Sequence, residues 1–238
     1  MPVPVERIDL WVVDLDRWMG TADRPTSRSG RRGEGGVRPP DPVATRRLTA
    51  RRSLTRSLVA GALGLDPADL VIDRHCPRCG AADHGRPTVR GGGIEFSVSS
   101  SGRLAAVAVA DRPVGVDVEL ARTGVAPLDA ALSPREQDAL VGLDGHRRDG
   151  ALLRLWTAKE AVLKAAGRDL GDDPSRIDVA GLLTTSSVEV GCGGRQWVVR
   201  HPALDPSVAD QAVVAVADGW GAAVVRRSVD DRPSQDAT

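Results

Sequence analysis

Residues 114–120 read VGVDVEL, a run that predicts one strand and the chemistry of its two faces. Successive side chains of a strand point to opposite sides, so the three valines and Leu120 face one way while Asp117 and Glu119 face the other. The carboxylates lie about 7 Å apart along the strand. Gly115 shares their face and is expected to leave open space beside them. This pattern suits a Mg²⁺ site, although an amphipathic strand with a solvated acidic face has the same pattern.

A long helix is predicted over residues 151–166, with Gly167 ending it. Glu160 and Lys164 lie one turn apart on one face, so Glu160 could supply a third carboxylate. An i,i+4 surface pair worth a few tenths of a kcal/mol would look the same. Lys159 projects from the apolar stripe. It needs a carboxylate or phosphate partner unless it reaches water.

The composition makes these two lysines unusual. The chain has 238 residues and 32 basic side chains, yet Lys159 and Lys164 are the only lysines. An ammonium and a guanidinium are not interchangeable, so their survival in an arginine-biased chain indicates a site that requires an ammonium. Net charge is zero and 41% of residues are hydrophobic, as in a typical soluble globular protein.

Localisation is expected to be cytoplasmic. No segment approaches the roughly 20 apolar residues of a membrane span. Residues 1–10 contain two prolines and three charged residues, unlike a signal peptide. Three cysteines make a disulfide framework improbable.

The grouping of elements favours an α+β fold, because strands follow strands and helices are inserted between the groups. Each group opens with a strand and contains a long helix, so we predict two similar α+β halves related by a pseudo-twofold axis. The halves span residues 1–110 and 111–228, and residues 229–238 form a tail. Residues 21–42 hold almost no large apolar side chain and are predicted to be a mobile loop. Ser133 and Glu136 predict a capping box at a helix start.

Arginine is concentrated early in the chain. Residues 24–56 hold ten arginines against two acids, a local charge of +8. Such a segment would attract a nucleotide phosphate, nucleic acid or an acidic protein, and a solvated or disordered arginine run is an equal alternative. Residues 43–65 carry leucines at helical spacing and are predicted to form a helix.

A Cys/His segment follows at residues 75–84. Cys76, Cys79 and His84 supply part of a zinc knuckle, but a second cysteine pair is missing. Structural zinc, a redox pair and a tight loop leading into a binding pocket stay open, and the loop is preferred.

Taken together, the motifs resemble those of the 4′-phosphopantetheinyl transferases, in their longer, two-half, Sfp-like branch. The acidic strand is followed some forty residues later by a W-x-x-K-E-x-x-x-K helix, as in that family's signature. The segments that carry the resemblance are VGVDVE (114–119), WTAKEA (156–161), KAAG (164–167), GRP (85–87) and FSVSSSG (96–102). The resemblance covers roughly residues 45–170 and implies the phosphopantetheinyl transferase fold.

The resemblance implies a reaction. Such an enzyme transfers 4′-phosphopantetheine from coenzyme A to a serine of an apo acyl or peptidyl carrier protein and releases 3′,5′-ADP. Polyketide and nonribosomal peptide synthases are the expected targets. Asp117, Glu119 and Glu160 would hold Mg²⁺, Glu160 would also be the base for the serine hydroxyl, and Lys164 would contact the pyrophosphate. These four are the predicted catalytic residues.

Coenzyme A binding is assigned partly by motif. Arg86 and Pro87 belong to the GRP segment, whereas Arg47 and Arg52 rest on helix position alone. The family usually has His at the position of Ser100. This chain therefore departs from the family at a residue that is expected to contact the 3′-phosphate of coenzyme A. The full predicted set is Arg47, Arg52, Arg86, Pro87, Ser99, Ser100, Lys159 and Lys164. For Lys159, bracing the helix against an acidic group is the preferred role.

Two other functions compete with this interpretation. A non-catalytic nucleic-acid or partner-binding module could be built on the arginine-rich segment, but it would leave the acidic residues and Lys164 unexplained. A relative that binds coenzyme A without turnover is suggested by Ser100. We expect neither a nucleic-acid nor a membrane partner, and we expect a monomer because the halves can pair with each other.

Overall fold

The computed structural model describes residues 7–19, 41–75, 79–81, 85–168 and 172–229. Within these ranges the strands form several sheets and helices lie between them in the chain, which confirms the α+β class. The loop predicted at 21–42 lies outside the described residues except for Asp41 and Pro42. Asp41 is the N-cap of helix α2 (Pro42–Leu63) and Pro42 is its first residue. The predicted tail lies outside them except for Val229.

The first sheet has the strand order β10-β1-β5-β4. β1 pairs antiparallel with β5, β5 pairs antiparallel with β4, and β10 runs parallel to β1. Helix α2 packs on this sheet through Leu54, Leu58 and Val59. The elements are β1 (Arg7–Asp14), α1 (Leu15–Trp18), α2 (Pro42–Leu63), β4 (Glu95–Ser101), β5 (Leu104–Ala110) and β10 (Ala223–Arg226).

A short hairpin lies beside the first sheet. β2 (Ile72–His75) pairs antiparallel with β3 (Arg86–Val89). The sequence favoured a loop for residues 75–84 and assigned no strand to residues 86–89, so β3 is a strand that the pattern did not reveal. Pairing with β2 supplies the backbone hydrogen bonds that local propensity does not favour there.

The second sheet has the strand order β6-β9-β8-β7, and all neighbours are antiparallel. Helix α4 packs against β6, β8 and β9. The elements are β6 (Val114–Leu120), α3 (Pro134–Ala139), α4 (Gly145–Ala165), β7 (Ser187–Cys192), β8 (Arg195–Arg200), α5 (Pro206–Ala209) and β9 (Ala212–Asp218). Short 3₁₀ helices span Ala126–Ala131, Pro174–Arg176 and Ala180–Leu183.

The two sheets share a topology. In each, the first strand in sequence (β1 or β6) pairs with the last strand of its group (β5 or β9), and the long helix lies between them in the chain. β10 is the exception, because it follows the second sheet in sequence but joins the first. None of the described helices has the length and apolar character needed to cross a membrane.

Serine hydroxyls join the two groups of strands where β4 lies beside β6. The hydroxyl of Ser97 accepts from the amide of Val116 at 3.0 Å, and that of Ser101 accepts from the amide of Leu120 at 3.1 Å. Between them, Ser99 donates to Asp117. The acidic strand is therefore held by the serine-rich strand of the other group.

Gly115 lets helix α4 approach β6 at very short range. A Cβ atom on Gly115 would lie 1.9 Å from the backbone oxygen of Ala161 and 2.5 Å from the amide nitrogen of Ala165. The expectation of open space beside the two carboxylates is therefore wrong, because the helix backbone fills it. This contact places Glu160 and Lys164 on the same side of β6 as Asp117.

Candidate active site

Asp117 is the most deeply buried acidic residue of the β6 pair, with 4% of its surface exposed. Its Oδ1 accepts hydrogen bonds from the Ser99 hydroxyl at 2.6 Å and from the Lys164 ammonium at 2.6 Å. Its Oδ2 is buried and has no partner among the described residues. Burial raises the pKa of Asp117, and the charge and hydrogen bond of Lys164 oppose that rise.

Glu160 faces this strand from helix α4. Its Oε1 is also buried without a partner among the described residues. Burial raises the pKa of Glu160 from 4.5 to about 7; Asp117 and Glu119 add to the rise, and Lys164 opposes it. Because the neighbouring carboxylates act on Glu160 electrostatically, the structure brings together the three acids that the sequence singled out.

Glu119 lies at the more open end of the group, with 19% of its side chain exposed. Its Oε2 accepts from the Ser101 hydroxyl and from Arg122, both at 2.8 Å. The acidic face of β6 thus runs from a buried carboxylate at Asp117 to a partly exposed one at Glu119.

Lys164 connects the helix to the strand. Its ammonium donates to Asp117 at 2.6 Å and to the Ser99 hydroxyl at 3.1 Å, and 27% of its side chain remains exposed. The ion pair is made with Asp117 rather than along the helix with Glu160, so the simple i,i+4 surface pair is not what forms. Ser99, predicted to bind coenzyme A, is buried beneath this pair.

The donor set fits Mg²⁺ in its chemistry. Carboxylate oxygens are the ligands this hard cation prefers, and two buried ones, on Asp117 and Glu160, have no partner among the described residues. In this arrangement no three His, Cys, Asp or Glu side chains of the described residues stand close enough to hold a metal ion. The Lys164 ammonium takes the remaining oxygen of Asp117 instead.

Lys159 has a carboxylate partner, Glu136, whose Oε2 lies 2.5 Å from its ammonium. The ammonium also donates to the carbonyl oxygens of Ala131 at 2.6 Å and Pro174 at 3.0 Å. Both charged side chains are at most 1% exposed. An ammonium has three donors, and protein acceptors use all of them. Lys159 therefore braces helix α4, and its inclusion among the coenzyme-binding residues finds no support in this geometry.

Glu136 explains why that brace is rigid. Its Oε2 also accepts from the amide of Ser133 at 2.8 Å, and its Oε1 accepts from the amide of Val179 at 2.8 Å. The predicted capping box is confirmed. One buried carboxylate thus ties the start of α3 and the segment before the last 3₁₀ helix to the middle of α4.

A basic cluster lies near Ser100, and its central residue was missed from the sequence. Arg51 donates to the Ser100 hydroxyl at 2.8 Å. Burial lowers the pKa of Arg51, and the neighbouring charges of Arg74 and Arg52 lower it further. Three guanidinium groups therefore interact around an exposed serine. Helical spacing alone could not distinguish Arg51 from the other arginines of α2.

Three further residues predicted to bind coenzyme A, Arg86, Pro87 and Arg47, have partners of their own within the protein. Arg86 donates to the carbonyl of Ala165 at 3.1 Å and to Glu95 at 2.6 Å, which links β3 to the end of α4. Pro87 lies opposite Arg74 in the β2–β3 hairpin. Arg47 is held by Asp16 through two hydrogen bonds, at 2.8 and 2.5 Å. Of the candidate zinc ligands, Cys79 is exposed, whereas Cys76 and His84 lie outside the described residues.

The main charged features of this region are the buried Asp117 carboxylate with its lysine and the arginine cluster at Ser100. Residues 113–217 match the family model of the 4′-phosphopantetheinyl transferase superfamily. This segment contains Asp117, Glu119, Glu160 and Lys164, so the match falls on the residues that the motifs singled out.

Curated relatives carry the same name. The chain is 33% identical over 135 residues to the 4′-phosphopantetheinyl transferase HetI of a Nostoc species, covering 53% of this chain and 54% of the relative. It is 31% identical over 121 residues to a 4′-phosphopantetheinyl transferase of Bacillus subtilis, covering 49% and 50%. A Bacillus pumilus relative, psf-1, is 32% identical over 93 residues, covering 37% and 38%. The chain thus spans about half the length of the first two relatives and 38% of the third.

Proposed function

We propose that this protein transfers 4′-phosphopantetheine from coenzyme A to a serine of an apo acyl or peptidyl carrier protein, releasing 3′,5′-ADP. The observation that carries the proposal is the meeting of Asp117, Glu119, Glu160 and Lys164 between β6 and α4. The superfamily match covers these residues. Polyketide and nonribosomal peptide synthases supply the proposed carrier proteins, and the enzyme would act as a cytoplasmic monomer of two halves.

Glu160 is the proposed base. The serine oxygen attacks the β-phosphorus of coenzyme A, the bond from that phosphorus to the leaving 3′,5′-ADP breaks, and the serine proton passes to the Glu160 carboxylate. In the protein without Mg²⁺, burial raises the pKa of this carboxylate to about 7, which is close to the pH at which a general base works best. The carboxylate oxygen of Glu160 that does not bind Mg²⁺ would accept the proton.

The other site residues act on charge and position, which is most of what phosphoryl transfer requires of a protein. Lys164 would donate to pyrophosphate oxygens as a compact cation. Asp117, Glu119 and Glu160 would hold Mg²⁺, which when bound supplies neutralisation of the charge on the pyrophosphate. Arg51, missed from the sequence, joins Arg52 as a proposed contact of the coenzyme's 3′-phosphate.

Part of the arginine-rich segment is engaged within the protein. Three of its arginines are engaged within the protein: Arg47 with Asp16, Arg51 with Ser100, and Arg56 with backbone carbonyls that include that of Pro67. These guanidinium groups bind the protein itself and do not form an exposed basic stripe.

The direct test is intact mass spectrometry of apo carrier domains incubated with the protein, coenzyme A and Mg²⁺. We expect a phosphopantetheine adduct on the carrier serine, no adduct with Glu160→Gln, and none on a carrier whose serine is replaced by alanine. Absence of the adduct on acyl and peptidyl carriers of several classes, with protein that is folded by circular dichroism, would refute the proposal.

A further inference from the structure

Lys164 makes an ion pair with one of the proposed Mg²⁺ ligands. Its ammonium lies 2.6 Å from Oδ1 of Asp117, a carboxylate that is 4% exposed. A buried carboxylate without a cation would be costly, so this ammonium offsets the charge of Asp117. The lysine side chain is 27% exposed, which leaves it a path away from the strand.

Only one oxygen of this carboxylate is satisfied by protein donors. Oδ2 of Asp117 and Oε1 of Glu160 are buried and lack partners among the described residues. The Lys164 ammonium, with a single positive charge, therefore leaves two carboxylate oxygens of this site without a hydrogen-bond donor among the described residues. A divalent cation that bound these oxygens would compete with Lys164 for Asp117.

We propose that Lys164 is an internal cation that occupies Asp117 in the metal-free enzyme and is displaced from it when Mg²⁺ binds. The inference rests on the proposed function, because it assumes that the carboxylates hold Mg²⁺. The displaced ammonium is then free to donate to a phosphate oxygen of the donor substrate. Mg²⁺ and the pyrophosphate would each take one member of the Lys164–Asp117 pair, so each would strengthen the binding of the other.

The choice of lysine supports this exchange. The chain carries 32 basic residues and only two are lysine, so arginine is the default cation here. An arginine at this position could grip both oxygens of Asp117 with its planar fork, whereas an ammonium is a point charge on a flexible stem. The lysine is the more easily displaced of the two.

The test measures Mg²⁺ affinity of the full chain without coenzyme A, by isothermal titration calorimetry at one fixed pH for all variants. We expect Lys164→Met to bind Mg²⁺ roughly tenfold more tightly than the unmodified protein, or more, since the metal no longer displaces a charge-assisted hydrogen bond. Lys164→Arg should bind it more weakly than the unmodified protein. Arg176→Met removes a cation whose side chain is 86% exposed and should leave the affinity unchanged.

The order of affinities decides the matter. Equal or weaker Mg²⁺ binding by Lys164→Met, with a native circular dichroism spectrum, would overturn the inference. If that variant does not fold, Lys164→Arg carries the test, and binding as tight as that of the unmodified protein overturns it. Mg²⁺-dependent transfer without the expected order refutes the internal-cation role alone. Absence of both Mg²⁺ binding and transfer refutes the proposed function as well.

Discussion

Replacing Glu160 by glutamine is expected to stabilise the protein while abolishing its activity. The folded state raises the pKa of this carboxylate from 4.5 to about 7. Such a group binds protons more tightly in the folded state, so its contribution to stability is complete below pH 4.5 and is lost as the pH rises through about 7. Glutamine keeps the shape of the side chain and removes the charge.

The magnitude follows from the pKa rise. A change from 4.5 to about 7 corresponds to about 3 kcal/mol of free energy of unfolding. In metal-free buffer, Glu160→Gln should therefore match the unmodified protein near pH 4.5 and exceed its stability by up to about 3 kcal/mol above pH 7.

The assay is urea unfolding followed by tryptophan fluorescence, since Trp197 is buried in the core of the second sheet. Measurements with a chelator at several pH values give the difference as a function of pH. The exposed carboxylate of Glu189 supplies a control, because Glu189→Gln removes the same charge from the surface of β7. A stability difference that is constant with pH, or a variant less stable than the unmodified protein at pH 8, would refute the reasoning.

Three further substitutions test separate parts of the structure. Gly115→Ala should destabilise the protein by about 3 kcal/mol or more in thermal unfolding, because its Cβ would lie 1.9 Å from the backbone oxygen of Ala161. Lys159→Met should cost about 3–5 kcal/mol in urea unfolding, because it leaves the Glu136 carboxylate buried and unpaired; the double variant with Glu136→Gln should regain part of that loss. Arg51→Ala should raise the KM for coenzyme A about tenfold with a smaller change in kcat, in steady-state assays of carrier modification, if it binds the coenzyme.

Each of these predictions has an outcome that contradicts it. A Gly115→Ala protein with an unchanged melting temperature would mean that α4 does not approach β6 as closely as described. No recovery in the double variant would show that the loss does not come from the unpaired charge. For Arg51, the matched control is Arg135→Ala, because the Arg135 side chain is 81% exposed and pairs with Asp178. An equal rise in KM would remove Arg51 from the coenzyme site.

The parts of the fold that local pattern controls could be predicted from the sequence. Strand β6 has the predicted bounds, because strict alternation of valine with polar residues marks both ends. Helix α4 begins at Gly145, six residues before its predicted start, since its first turns are polar and glycine-containing and are held by the surrounding structure. Strand β3 depends on its partner β2, and no property of its own four residues identifies it.

The site shows the same division. The sequence could group four site residues, because the periodicity of one strand and one helix determines the face on which each side chain lies. These residues are Asp117, Glu119, Glu160 and Lys164. The partner of Lys159 could not be found, because Glu136 approaches it only through the path of the intervening loops. The ion pair between Lys164 and Asp117 likewise depends on the approach of two elements, which no spacing within either one encodes.

The position of β10 has a consequence for synthesis on the ribosome. β1 is made first, yet its outer edge is completed only by residues 223–226, near the end of the chain. The first group of strands would therefore wait with an open edge while nearly all of the remaining chain is translated, and open edges are where strands of other chains add. The residues of the acidic site lie on β6 and α4 and are synthesised before β10, so the strand that closes this edge is made after them.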